Sequence, residues 1–177
     1  RMNRIMSNIG FKIRQAKESE FKEVGELMVK VYSQLEGFPK QSEQPDYYKK
    51  LANIGELTKK PETELMAAVS TTGKIAGAVV YFNDMKYYGS GGTAAGEKNA
   101  AGFRFLAVDP SHRGKGMGKG LTIECLEKAR RNKRSQVIIH STNFFIMILS
   151  GSIPDIKFCC ETITSHKERI VRIIDTI

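Results

Sequence analysis

The sequence has 177 residues, of which 41% are hydrophobic and 27% are charged, and its formal net charge is +9. This length and composition predict one folded domain, residues 1–177, and exclude a membrane-spanning helix, because no run approaches the roughly 18 apolar residues that such a helix needs. The positive charge favours an anionic partner, which could be nucleic acid, a membrane surface or a polyphosphate group.

The chain contains three cysteines, Cys125, Cys159 and Cys160. No two of them have the C-x-x-C spacing, and no ladder of cysteine and histidine with metal-ligand spacing is present. No metal site is therefore predicted. This pattern is typical of reduced thiols, so we expect a cytoplasmic protein.

The first half of the chain predicts a strand followed by two helices. Residues 1–10 lack the apolar region of a signal peptide, and they are interpreted as a disordered start of the domain or as residues foreign to it. Residues 11–16 alternate between apolar and polar side chains, as in a half-buried strand. Apolar residues at helical spacing predict a helix over 20–34 with Ser19 as its N-cap, and a weaker helix over 46–57.

Strands dominate the middle of the chain. Residues 64–70 and 75–82 predict a hairpin with a tight glycine-containing turn. Residues 89–102 hold five glycines and four alanines, too little side chain to pack, so they are predicted to form a mobile surface loop. A strand over 103–108 follows, closed by an Asp-Pro turn.

The last elements are a helix over 116–132 and a strand over 136–141. The order of elements predicts a mixed α/β domain whose hairpin strands are antiparallel and whose last strand–helix–strand unit is parallel. The tail, residues 143–177, is atypical. Residues 144–154 lack a helical period, and 166–177 predict a charged helix or a strand. An altered reading frame after Thr142 and ordinary divergence both remain open explanations.

The chemistry is concentrated in a glycine-rich segment, the 113–119 loop, between the 103–108 strand and the following helix. The first N–H groups of a helix have no partner within it, and the helix dipole adds positive charge there. Gly114, Gly116 and Gly118 remove side chains that would keep a ligand away, and they permit positive φ. With the charges of Arg113 and Lys115, the loop predicts a phosphate or pyrophosphate site.

Two common phosphate motifs do not fit this loop. A Walker A motif requires a glycine five residues before the Gly118-Lys119 pair and a Ser or Thr after it, whereas the chain has Arg113 and Gly120. The dinucleotide pattern G-x-G-x-x-G fails from each starting glycine. The pattern R-x-x-G-x-G, from Arg113 to Gly118, does match. On this motif and on the segment FLAVDPSHRGKGMGKGL around it, the chain resembles the GCN5-related N-acetyltransferase (GNAT) family.

The resemblance implies a fold, a cofactor and an activity. It implies a central mixed, mostly antiparallel sheet with helices on both faces, in which strands 4 and 5 are parallel and splayed to admit the cofactor arm. It also implies transfer of an acetyl group from acetyl-CoA to a primary amine of a small molecule or a protein. The implied cofactor-binding residues are Leu106, Ala107 and Val108 for the pantetheine arm, Arg113, Gly114, Lys115, Gly116, Met117, Gly118 and Lys119 for the pyrophosphate, and Asn143. Asn143 serves equally well as the N-cap of a helix.

Catalytic residues are harder to assign. The family usually supplies an acid as a tyrosine after the fifth strand, but no tyrosine follows Tyr88. Glu97, Asp84 and Glu36 are candidate bases, although residues of this type in such positions are more often solvated surface charges. Residues 36–48 and the glycine-containing surface loop over 89–102 are expected to recognise the acceptor. Tyr47 and Tyr48 in this region either line the acceptor groove or pack in the core.

Two other functions stay open. The chain could bind an acyl-CoA without catalysis, or it could bind nucleic acid through the basic residues 113–134, although it carries no recognised nucleic-acid motif. A nucleic-acid partner is not favoured, no membrane partner is expected, and a homodimer is allowed.

Overall fold

The computed structural model describes residues 10–89, 93–141, 157–162 and 169–174. Residue contacts divide the chain into two compact units. The first comprises the described residues of Arg1–Val80 together with Phe105–Leu121, and the second those of Tyr81–Arg104 together with Thr122–Ile177.

The first unit contains the predicted N-terminal strand, two helices and hairpin. Its elements are β1 (Phe11–Gln15), α1 (Phe21–Ser33), α2 (Pro45–Ala52), β2 (Thr63–Ser70), most of β3 (Ile75–Phe82), the end of β4 (Ala100–Val108) and the start of α3 (Met117–Arg131). β1 pairs antiparallel with β2. The amide of Ser70 donates to the carbonyl of Lys74 at 2.8 Å, which closes the turn of the β2–β3 hairpin.

The apolar face of α1 packs in the core of this unit through Val24, Leu27, Met28 and Val31. At Gly25 the helix is in close contact with α2, since a Cβ atom there would lie 2.0 Å from the carbonyl oxygen of Ala52. The predicted helix over 46–57 is only partly correct. α2 ends at Ala52, and a 3₁₀ helix, Ile54–Lys59, follows.

The start of α1 differs from its prediction. A 3₁₀ turn, Glu18–Glu20, precedes the helix, and the N-cap position is Glu20. Ser19 was therefore the wrong cap. Glu20 forms two hydrogen bonds to the guanidinium of Arg14, at 2.6 and 2.8 Å, and accepts a third from the amide of Lys17 at 2.7 Å. A paired carboxylate thus orders the entry to α1.

The second unit contains the rest of β3, β4 and α3, together with β5 (Gln136–Ser141), β6 (Lys157–Thr162) and β7 (Arg169–Ile174). β4 pairs parallel with β5, from Ala100–Gln136 to Gly102–Ile138. β5 and β6 each pair antiparallel with β7. The predicted mixed α/β fold with parallel fourth and fifth strands is confirmed. In the tail, residues 169–174 form a strand, whereas residues 144–154 lie outside the described part.

The loop predicted over residues 89–102 is shorter than expected. β4 begins at Ala100, so the last three residues of the supposed loop belong to the sheet. At Gly102 the neighbours leave no room for a side chain: a Cβ there would lie 2.7 Å from the Ile138 carbonyl oxygen, from Met85 and from Tyr88. Lack of side-chain volume here indicates tight packing against large partners.

Candidate cofactor site

The end of β4 is irregular at one residue. Phe105 has a φ of 57°, a left-handed conformation that is uncommon for residues with a side chain and typical of a bulge. Beyond it, the amide of Asp109 donates to the carbonyl of Ala76 on β3 at 2.8 Å. Backbone groups alternate in direction along a strand, so those of Ala107 also face β3, and those of Leu106 and Val108 face the other edge of β4. Leu106 and Val108 are therefore better placed than Ala107 to pair with an extended ligand.

The 113–119 loop has the predicted left-handed glycines at two of three positions. Gly114 has a φ of 76° and Gly116 a φ of 81°, and a Cβ at either would meet no atom within 4 Å. Gly118 lies within α3 and does not adopt the positive φ that glycine permits. A Cβ at Gly118 would meet Val108 at an ordinary 3.6 Å. The open space at Gly114 and Gly116 is room that a ligand could use.

The helix that follows begins at the loop. Gly120 donates its amide to the carbonyl of Gly116 at 2.9 Å, so the amides of the first turn point out of the helix end. The side chain of Met117 is buried and anchors this turn. The amide of Arg113 donates to the carbonyl of Pro110 at 3.4 Å, so the exposed guanidinium is what Arg113 can offer a ligand. Lys115 and Lys119 are also exposed.

A buried carboxylate precedes the loop. Asp109 Oδ2 accepts a hydrogen bond from Lys30 Nζ on α1 at 2.9 Å. Asp109 Oδ1 accepts from the amide and the hydroxyl of Ser111, at 2.9 and 2.6 Å. These bonds hold the 3₁₀ turn Pro110–His112 at the entry to the loop. The sequence shows the Asp-Pro turn, but a partner 79 residues away leaves no local signal.

Phe105 lies at one end of a group of aromatic side chains. The ring of Tyr47 lies 6.1 Å from that of Phe105 and 5.5 Å from that of Phe38. Tyr47 is half-buried, whereas Tyr48 is 1% exposed and donates its hydroxyl to the carbonyl of Pro39 at 2.9 Å. Of the two readings left open for these tyrosines, Tyr48 packs in the core and Tyr47 borders the end of β4.

A groove of about 690 Å³ lies between α1 and α2. Its floor includes Tyr48, and its rim carries Lys22, Glu26, Lys30 and Lys49. Lys30 thus belongs both to this rim and to the ion pair with Asp109.

Comparison with known proteins decides the family. The model of the Acetyltransferase (GNAT) family matches residues 25–144. The chain belongs to this family. A search of curated protein sequences finds no match.

Solved structures agree on the fold. The PaiA N-acetyltransferase of Thermoplasma acidophilum, in complex with coenzyme A, is 12% identical, with a TM-score of 0.68 over 92% of this chain and 97% of that chain. A GNAT acetyltransferase of Staphylococcus aureus Mu50 is 13% identical, with a TM-score of 0.66 over 92% and 97%. YncA of Salmonella typhimurium, with its cofactor acetyl-CoA, is 14% identical, with a TM-score of 0.60 over 93% and 92%. At these identities the likeness shows the GNAT fold.

Two of the three candidate bases of this GNAT protein have a hydrogen-bond partner. Asp84 caps a 3₁₀ turn by accepting from the amide of Lys86 at 2.9 Å. Glu97 accepts from the side chain of Gln136 at 3.4 Å. Both residues belong to the second unit. Glu36 is exposed and belongs to the first unit, which also contains the 113–119 loop. Their catalytic roles stay predictions. Asn143 lies outside the described residues.

A buried tyrosine joins β4 and β5 and was missed at the sequence level. The parallel ladder ends at Gly102 among the described residues. Just beyond it, the hydroxyl of Tyr88 accepts from the amide of His140 at 3.1 Å and donates to the carbonyl of Phe103 at 3.3 Å. The ring of His140 lies 5.4 Å from that of Tyr88. A side-chain hydroxyl thus bridges the two strands where their backbone pairing stops.

Within the described parts of the chain, no three His, Cys, Asp or Glu side chains form a group able to hold a metal ion. No helix in those parts is long and apolar enough to cross a membrane. Cys125 is buried and forms no disulfide.

Proposed function

We propose that this GNAT protein is an N-acetyltransferase that transfers an acetyl group from acetyl-CoA to a primary amine of a small molecule or a protein. The observation that carries the proposal is the pair of left-handed glycines, Gly114 and Gly116, with open space at both Cβ positions. They lie directly before α3, so successive amides can converge on phosphate oxygens. Two of the similar structures contain coenzyme A or acetyl-CoA, in agreement with that ligand.

The residues present fit coenzyme A. The amides of residues 114–119 and the charges of Arg113, Lys115 and Lys119 would hold the pyrophosphate. The backbone of Leu106 and Val108 would pair with the pantetheine arm. Acetyl-CoA would supply an acetyl group activated as a thioester: a bond would form between the amine nitrogen and the acetyl carbon, the carbon–sulfur bond would break, the amine would lose a proton, and coenzyme A would take up a proton and leave as its thiol. Removal of that proton requires a base or water, for which Glu36, Asp84 and Glu97 remain candidates.

A calorimetric titration with coenzyme A tests the loop. Gly116→Ala places a side chain at a φ of 81°, which costs about 1–2 kcal/mol of strain and narrows the space for the pyrophosphate. Gly73→Ala is a matched control, because Gly73 has a φ of 82° and equally open surroundings in the β2–β3 turn. We expect both variants to lose similar stability, and only Gly116→Ala to lose affinity for coenzyme A.

Other outcomes would count against the proposal. Equal affinities in the two variants would show that the loop is not the pyrophosphate site. No binding of coenzyme A by the wild type, together with salt-sensitive binding of duplex DNA, would favour a nucleic-acid function instead. Thiol release from acetyl-CoA against a panel of amines then separates an enzyme from a protein that only binds the cofactor.

A further inference from the structure

The ion pair between Lys30 and Asp109 joins α1 to the segment that leads into the 113–119 loop. The side chain of Asp109 is 4% exposed, whereas that of Lys30 is 49% exposed. A carboxylate buried to this extent is strongly unfavourable unless a cation or hydrogen-bond donors stabilise its charge. Lys30 supplies the cation, from a helix distant in sequence.

The second oxygen of Asp109 holds the turn itself. It accepts two hydrogen bonds from Ser111, whose hydroxyl also lies 2.9 Å from Nδ1 of His112. The pKa of Asp109 is lowered, first by the hydrogen bond from Ser111 and then by that from Lys30. One oxygen is therefore fixed by α1, and the other orders the residues immediately before Arg113.

The main chain of Asp109 is held separately, by β3. The amide of Asp109 donates to the carbonyl of Ala76 on β3 at 2.8 Å. The contribution of Lys30 is thus to the rotamer of the carboxylate, and through it to Ser111 and His112. The loop starts at the next residue.

We propose that Lys30 is a positioning residue for the 113–119 loop: by holding the Asp109 carboxylate, it fixes the turn Pro110–His112 and aligns the following amides for a pyrophosphate. This inference rests on the proposed function, because it assumes that the loop binds coenzyme A. It predicts that Lys30 affects cofactor affinity without touching the cofactor.

The test compares Lys30→Met, which removes the charge and keeps the length of the side chain, with Lys30→Arg, which restores a donor. Lys22→Met is the matched control, since Lys22 is exposed on α1 about two turns earlier. Dissociation constants are measured for coenzyme A and for dephospho-coenzyme A, which keeps the pyrophosphate and lacks the 3′-phosphate. Amide NMR signals of residues 114–119 are recorded without ligand.

We expect Lys30→Met to weaken both ligands by the same factor, roughly tenfold, as for a lost charge-assisted hydrogen bond. The amide signals of the loop should shift in ligand-free Lys30→Met, and Lys30→Arg and Lys22→Met should resemble the wild type. Adding Lys30→Met to Asp109→Asn should weaken binding no further than Asp109→Asn alone. This last comparison remains usable if Lys30→Met by itself does not fold, because Asp109→Asn removes the buried carboxylate that Lys30→Met would leave without its cation.

Three results would overturn the inference: unchanged affinity and amide signals in Lys30→Met, a loss for coenzyme A alone, or a further loss on the Asp109→Asn background. The second and third would indicate direct contact between Lys30 and the ligand. Failure of the wild type to bind coenzyme A would refute the proposed function. The ligand-free amide signals would still report whether Lys30 orders the loop.

Discussion

The hydroxyl of Tyr88 is the most informative single group to remove. Tyr88→Phe keeps the ring, which is 1% exposed, and deletes the oxygen that bridges β4 and β5. The carbonyl of Phe103 then loses its hydrogen bond at 3.3 Å, and the amide of His140 loses its bond at 3.1 Å. Phe103 is buried and His140 is half-buried, so water can replace the lost partner at His140 more easily than at Phe103.

The size of the effect follows from this burial. A buried polar group that loses its partner costs about 1–3 kcal/mol, and the half-buried amide adds less. We therefore expect Tyr88→Phe to lower the free energy of unfolding by roughly 1–3 kcal/mol. For a chain of this length each kcal/mol lowers the melting temperature by about 2–4 °C, which gives a decrease of roughly 2–12 °C.

Urea unfolding followed by circular dichroism measures this difference, with Tyr81→Phe as the control. Tyr81 is also fully buried, but its hydroxyl donates to Asn83 Oδ1, which accepts from Arg134 as well. Its removal should cost less, about 0.5–1.5 kcal/mol. If Tyr88→Phe is no more destabilising than Tyr81→Phe, the bridge does not hold β4 to β5.

Two further predictions concern stability. The pKa of Glu20 is lowered to about 2 from 4.5, chiefly by its hydrogen bond with Arg14, so its stabilisation is complete above pH 4.5 and lost as the pH falls towards 2. Glu20→Gln should flatten the decline in unfolding free energy across this window, whereas Glu26→Gln, at an exposed position on α1, should keep the wild-type profile. Gly102→Ala should destabilise the protein by roughly 1–3 kcal/mol through overpacking, and exposed Gly96→Ala should stay within about 0.5 kcal/mol. Equal unfolding midpoints for these two glycine variants would contradict the tight packing at Gly102.

Regular elements with clear periodicity could be predicted from the sequence. α1 and the β2–β3 hairpin match their predicted ranges within one residue. A helix or strand that buries one face has apolar residues at the spacing of its own period, and that spacing can be recognised in the sequence. The R-x-x-G-x-G motif also located a loop with left-handed glycines, since that geometry favours glycine at specific positions.

What could not be predicted depends on contacts between distant residues. The first residues of β4 resemble a loop by composition. At Gly102 the absence of a side chain is explained only by the close approach of Met85, Tyr88 and the Ile138 carbonyl. Ser19 has good capping chemistry, but the bidentate pair of Arg14 with Glu20 moves the start of the helix. Lys30 and Tyr88 carry no local signal for their roles, because their partners come from other elements.

Gly25 limits how this protein can be re-engineered. Helix propensity alone favours alanine over glycine in a helix interior by about 1 kcal/mol, yet any side chain at this position would meet the Ala52 carbonyl at 2.0 Å. A replacement for α2 taken from another protein therefore fits here only if, in that protein, it also packs closely against a residue without a side chain on α1. In a chimaera, α1 and α2 should therefore be exchanged together. Exchanging either helix alone would break the close contact between them.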